Sequence, residues 1–214
     1  MKKIMFNDKY GLTEAVIEGR KTMTRRIIPQ LMSDKDFDIS EWGINDQGKV
    51  YICLYEGGRQ TTDIFPAYQP DEVVAVAQSY KSVFEESLNY ALPRYHWLDD
   101  HIDEKGFENK MFVKASEMPH QIQITDVKIE RLQDISDEDI IKEGVKKGMY
   151  LEPENVLYYF DEFCGFFRDG QVRIKGYSYK TEREAIAELI DKVCGKGTWE
   201  QNPYVFAYTF ELVK

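Results

Sequence analysis

The clearest alternation of apolar and polar positions lies between residues 120 and 129, where Ile122, Ile124, Val127 and Ile129 mark a strand. Their parity shifts between Ile124 and Val127, which predicts a bulge near Thr125-Asp126. Further strands are expected at residues 3–6, 49–55, 73–80, 111–114 and 204–213. Residues 61–65 fold back on 49–55 across Gly57-Gly58, and Pro66 stops that hairpin. Helical spacing appears first in Leu12, Ala15 and Val16, with Asn7 or Asp8 as the cap. Ser136-Asp137-Glu138-Asp139 reads as a capping box, with Ile135 and Ile140 placed as a hydrophobic staple and Gly144 closing a two-turn helix. Thr181 with Glu184 opens another helix, whose Ile186, Leu189, Ile190 and Val193 form one face before Gly195 ends it.

Three stretches read less regularly. Residues 30–48 are polar and acidic and are expected to be a loop. Residues 81–108 lack a period; they hold Tyr95 and Trp97 beside the acidic Asp99, Asp100, Asp103 and Glu104. Residues 153–169 concentrate aromatics, among them Tyr158, Tyr159, Phe160, Phe163, Phe166 and Phe167, and are expected to form a core helix ahead of a hairpin at 170–179. No repeat, low-complexity tract or Pro-rich linker divides the chain, so a single domain over 1–214 is expected.

The stretch with the most chemistry is Gly19-Arg20-Lys21-Thr22-Met23-Thr24-Arg25-Arg26. Gly19 sits where the first helix must end, and glycine adopts the left-handed turn that closes a helix at least cost. Beyond it Thr22, Thr24 and Arg26 alternate with Met23, Arg25 and Ile27 at strand spacing, until Pro29 ends the ladder. The run fits either a solvated basic turn at a sheet edge or a site for an anion or nucleic acid. Lys21 and Thr24 have opposite strand parity. They share a pocket only if Lys21 belongs to the turn and not to the strand.

Composition narrows the partners. The chain has 38 acidic residues against 28 Lys+Arg, a formal net charge of -10. Such a balance excludes a protein that coats nucleic acid nonspecifically, which needs a broad cationic face. A small basic pocket inside an acidic shell remains compatible with one nucleotide or a short single strand. Cys53, Cys164 and Cys194 show no ligand spacing and read as buried free thiols of a reducing compartment. His96, His101 and His120 form no metal motif, and His96 and His101 read as surface residues. No metal or cofactor is implied. The apolar run after Met1-Lys2-Lys3 stops after three residues, and no stretch approaches the ~20 apolar residues of a membrane helix. The expectation is a cytoplasmic protein without a membrane partner.

The Gly-Arg-Lys-Thr-x-Thr-x-Arg run after a short amphipathic helix resembles the signature of the ASCH superfamily. These are compact β-barrels similar to the PUA domains that bind RNA. The segment 127–144, ending in Lys142-Glu143-Gly144, resembles the strand–turn–helix of the same proteins. The tail Trp199-x-x-Asn202-Pro203-Tyr204-Val205-Phe206 is similar to the ends of longer, phage-associated bacterial members. The resemblance implies an α+β fold, a PUA-like mixed β-barrel with short flanking helices. Insertions then fall at about 30–65, 81–108 and 145–198, the second covering one end of the barrel. One departure stands out: where longer members often carry Arg-Glu at a strand end after a Gly-Asp turn, this chain has Ala77-Gln78 after Pro70-Asp71-Glu72.

Small bacterial members include amidohydrolases that deacetylate 4-N-acetylcytidine, and their catalytic Lys, Thr and Glu fall on Lys21, Thr24 and Glu143. The chemistry is sound in its own terms. A Thr hydroxyl is a weak nucleophile that needs a base, a Lys serves if burial or nearby cations lower its pKa, and a carboxylic acid passes a proton to the leaving nitrogen. Arg20, Thr22, Arg25 and Arg26 are the candidate ligand-binding residues, Arg26 for a phosphate or a developing oxyanion. Glu143 in a last helical turn opposes the helix dipole, which points to a use other than helix stability. Three functions follow as expectations: a module that binds RNA or a nucleoside or nucleotide in a basic cleft; a hydrolase of a modified nucleoside, or a metal-independent ribonuclease like some larger members; and a partner-binding protein with a vestigial cleft.

Overall fold

The computed structural model describes residues 1–31, 38–56, 59–89, 100–150, 152–160, 164–168, 171–175 and 178–213. The Gly57-Gly58 turn, Tyr95, His96, Trp97, Asp99 and Phe163 lie outside them, as does the side chain of Cys164. The fold is α+β. Its central sheet has five strands in the order β1 (Lys3–Ile4), β6 (Val73–Val76), β7 (Gln121–Arg131), β12 (Tyr204–Leu212) and β2 (Met23–Ile27). β1 runs parallel to β6, and the remaining pairs are antiparallel. The register of β7 against β12 slips so that Thr209 faces Asp126 and Phe210 faces Ile124, which leaves Thr125 as the extra residue of the expected bulge. Among the described residues no ladder joins β1 to β2, the two ends of the sheet. The Arg26 guanidinium reaches across instead and donates to the Met5 carbonyl at 2.7 Å.

The core forms where the apolar positions of these strands converge. Ile4, Val74, Val76, Ile122 and Ile124 are fully or almost fully buried and belong to one apolar cluster that also takes in Phe206. Burial of each such side chain contributes on the order of 1.5–3 kcal/mol. A second sheet joins β3 (Asp38–Ile44), β4 (Val50–Glu56) and β5 (Arg59–Ile64), and its Ile52 and Leu54 extend the same cluster. β3 corrects the expected loop at 30–48. Its polar residues pair with β4, and the chain between the two strands turns at Asn45, whose side chain accepts from the amides of Gln47 and Lys49.

Two other expectations are overturned. Residues 153–169 contain no helix among those described; β9 (Glu152–Tyr159) pairs with β8 (Lys146–Tyr150), and β10 (Cys164–Arg168) with β11 (Gln171–Lys175). Aromatic side chains suit a half-buried pleated surface as well as a helix face, and their clustering set no period. Residues 111–114 are not a strand. Short 3-10 turns at Lys110–Phe112 and Ala115–Glu117 replace it, the first capped by the Asn109 side chain, and the Lys3 ammonium holds the segment through the carbonyls of Met111 and Val113.

Helices among the described residues include α1 (Leu12–Ile17), α2 (Tyr80–Asn89), α3 (Asp137–Lys142), α4 (Glu182–Cys194) and α5 (Thr198–Gln201). Ser136 caps α3 by accepting from Asp139 N, and Thr181 caps α4 by accepting from Glu184 N. α4 is fastened at both ends. Arg183 donates to the carbonyls of Gln133 and Ile135 ahead of α3, while Asp191 accepts from the amides of Gly197 and Trp199. Those two amides hold the Asp191 carboxyl below its ordinary pKa. Among the described residues no helix is long and apolar enough to cross a membrane. His101 is buried and stacks on Tyr80 at 4.1 Å, correcting its expected place on the surface. Cys53 is buried as expected, its thiol donating to Asp63 Oδ1 at 3.3 Å, whereas Cys194 is exposed.

Candidate active site

The site is assembled by two helix ends that meet. Gly19, at φ 72°, closes α1, and Lys21 N then donates to the Ala15 carbonyl at 2.8 Å. The next amide, Thr22 N, donates to the Lys142 carbonyl at 2.9 Å, which docks the turn against the end of α3. Glu143 is the C-cap of α3, and Gly144 follows at φ 105°. Lys21 therefore lies in the turn before β2, the one placement that lets it share a pocket with Thr24 of that strand.

Lys21 and Glu143 form a buried ion pair. The Lys21 Nζ donates at 2.6 Å to Glu143 Oε2 and at 2.6 Å to the Glu143 carbonyl. Both residues are almost fully buried, with 2% and 5% of their surface exposed. Burial pushes the Lys21 pKa below that of a solvated lysine; Glu143 opposes the shift, and the positive charges of Arg26 and Arg25 add to it. The remaining carboxylate oxygen, Glu143 Oε1, accepts from Arg25 Nη1 at 3.0 Å. Arg25 also donates through Nε to Glu130 at 2.7 Å and lies 3.5 Å from Asp139. These cations at the end of α3 answer the dipole conflict noted for Glu143.

A cavity of about 260 Å³ opens on this pair. Lys21, Thr24, Arg25, Arg26 and Glu143 give it a charged side. Thr24 is 5% exposed, and among the described residues its hydroxyl makes no hydrogen bond. Arg26 and Lys21 both approach the Phe6 ring, each 5.8 Å from its centroid. Of the sequence candidates, Arg20 and Thr22 do not line the cavity. Arg20 pairs with Glu18, and Thr22 contributes its backbone. The sequence reading missed the other side of the cavity, formed by Leu12 and Ile27 with Ile186, Leu189, Ile190 and Val193 of α4. The helical face of α4 was visible in the spacing, but nothing in it says which surface the face covers.

Ala77 and Gln78 lie elsewhere, buried beyond the end of β6. Gln78 lines a separate cavity of about 420 Å³ beside α1 and donates to Glu86, which also bonds His120. Among the described residues no group of three or more His, Cys, Asp or Glu side chains is arranged to hold a metal ion. Comparisons with protein-family models, with curated proteins and with solved structures find no match to this chain.

Gly144 is the local requirement that puts Glu143 in place. A Cβ there meets Leu12 and Lys21 at ordinary contact distances, so the cost of substitution is the backbone angle and not a clash. Gly144→Ala is expected to destabilise the protein by about 1–3 kcal/mol, read as a lower denaturation midpoint. An unchanged midpoint would show that the helix end relaxes freely.

Proposed function

We propose that the chain is an ASCH-type protein with a PUA-like architecture, and that it hydrolyses the amide bond of an acylated nucleoside such as 4-N-acetylcytidine. The carrying observation is the buried Lys21–Glu143 pair, 2.6 Å long, opening on a small cavity that Thr24 also lines. In this reading Thr24 Oγ bonds to the acyl carbon and its proton passes to the neutral Lys21 amine. The oxyanion that develops is held by Arg26. The carbon–nitrogen bond then breaks, and the proton moves from Lys21 through Glu143 to the leaving nitrogen. Water hydrolyses the acyl-threonine ester, releasing the acid and restoring the hydroxyl.

The charge arrangement supports a single small ligand over a strand of RNA. Lys21 and Arg25 are bound to carboxylates, and Arg26 is the cavity cation with no ion pair among the described residues. One cation makes few phosphate contacts. The open, charged cavity also argues against a vestigial cleft.

The test is incubation of the purified protein with 4-N-acetylcytidine across a pH series, with products separated by chromatography. Cytidine and acetate are expected. The rate rises with pH as Lys21 loses its proton, and the midpoint of that rise lies below the 10.5 of a solvated lysine, because burial disfavours the charged form. Absence of cytidine at every pH would reject the deacetylase reading.

A further inference from the structure

Helix α4 does more than pack on the core. Ile186 and Leu189 are buried at 1% and 3% exposure, but Ile190 is only half-buried and Val193 keeps 37% of its surface exposed. All four project from one face, at the i, i+3, i+4, i+7 spacing, and all four line the cavity that contains Lys21, Thr24 and Glu143. Leu12 and Ile27 also line it. The cavity thus has a charged part where the chemistry would occur and an apolar part left partly uncovered. Because α4 is anchored through Arg183 at its start and Asp191 near its end, this wall is fixed in place. Cys194, exposed and one residue past Val193, also borders the cavity.

We propose that this face of α4 is an acyl-recognition wall, and that the preferred substrate is an amide whose acyl group is longer than acetyl, its alkyl arm lying against Ile190 and Val193. The assignment rests on the amidohydrolase reading of the Lys21–Glu143 site. An acetyl group offers one methyl to the apolar surface that Ile190 and Val193 leave open, whereas each further methylene can remove more of it from water. At about 0.8 kcal/mol per buried methylene, kcat/KM rises about fourfold for each one added.

The experiment measures kcat/KM for 4-N-acetyl-, 4-N-propanoyl- and 4-N-butanoylcytidine with wild type, Val193→Asp and Ile190→Ala. Wild type is expected to favour butanoyl over acetyl by about fifteenfold, and each variant to reduce that ratio severalfold. The ratio cancels any general loss of active protein, and Val193 is exposed enough to accept a polar residue without unfolding the helix. A flat chain-length profile in wild type, or a ratio unchanged in both variants, overturns the wall. If none of the three is hydrolysed, the amidohydrolase reading fails and the wall is judged by binding alone. Alkylation of Cys194 by N-ethylmaleimide, followed on its peptide by mass spectrometry with Cys194→Ser as control, is slowed more by butanoylcytidine than by acetylcytidine if the wall binds acyl chains. Equal protection overturns it.

Discussion

Replacing Lys21 with methionine is expected to reduce kcat/KM for 4-N-acetylcytidine by about 10³-fold while leaving the protein folded. Methionine keeps an unbranched apolar stem in the buried turn and removes the amine that would take the Thr24 proton. Glu143 is not stranded by the change, because Arg25 Nη1 still donates to its Oε1 at 3.0 Å. This makes methionine a better probe than alanine, which would also open a void beside Leu12 and Gly144. The pH series separates a catalytic role from a structural one. If Lys21 is the base, the residual activity of the variant loses the alkaline rise seen in wild type. Activity within tenfold of wild type, or an unchanged pH dependence, would reject Lys21 as the base. The substitution also relieves the cost of burying an ammonium. The folded protein holds the Lys21 proton less tightly than the unfolded chain, so wild-type stability rises with pH between the lowered folded value and 10.5. The variant should lack that rise.

The sequence made the frame of this site legible and hid its walls. Gly19, Ser136 and Gly144 are local signals: each reports on backbone within a few residues of itself, and each stands where its chemistry predicts. The bulge at Thr125 was equally local, because a parity shift along one strand requires it. The pairing of Lys21 with Glu143, 122 residues apart, is not written in any spacing. The resemblance to ASCH motifs placed both residues in one site, and the geometry brings them into contact through the Thr22–Lys142 backbone bond. What stayed hidden depends on long-range packing. The polar segment 38–44 becomes β3 only because β4 offers it a partner, and the aromatic segment after residue 152 becomes β9 because β8 does. Arg25, read as a ligand contact, is surrounded by carboxylates from β7 and α3 that lie more than 100 residues away in the chain.

Removing the carboxylate should have the largest effect on stability. Glu143→Ala leaves the Lys21 ammonium, 2% exposed, without its buried counter-charge, and takes from Arg25 one of its three carboxylates. Breaking a buried pair from one side costs about 3–5 kcal/mol, far more than the pair itself contributes to folding, since the surviving charge keeps its desolvation penalty. Lys21 has an escape that Arg25 lacks: it sheds its proton, so the loss should shrink as pH rises toward the lysine range. Urea denaturation at two pH values measures this directly. Glu143→Ala is expected to lower stability by about 3–5 kcal/mol near neutral pH and by less at alkaline pH. The double variant Lys21→Met/Glu143→Gln, which removes both charges and keeps both volumes, is expected to be more stable than Glu143→Ala alone. A Glu143→Ala protein within about 1 kcal/mol of wild type would mean that water reaches the pair and screens it as it does a surface ion pair. The depressed lysine on which the hydrolytic reading depends would then lose its physical basis, because it requires burial to exceed the pull of the carboxylate.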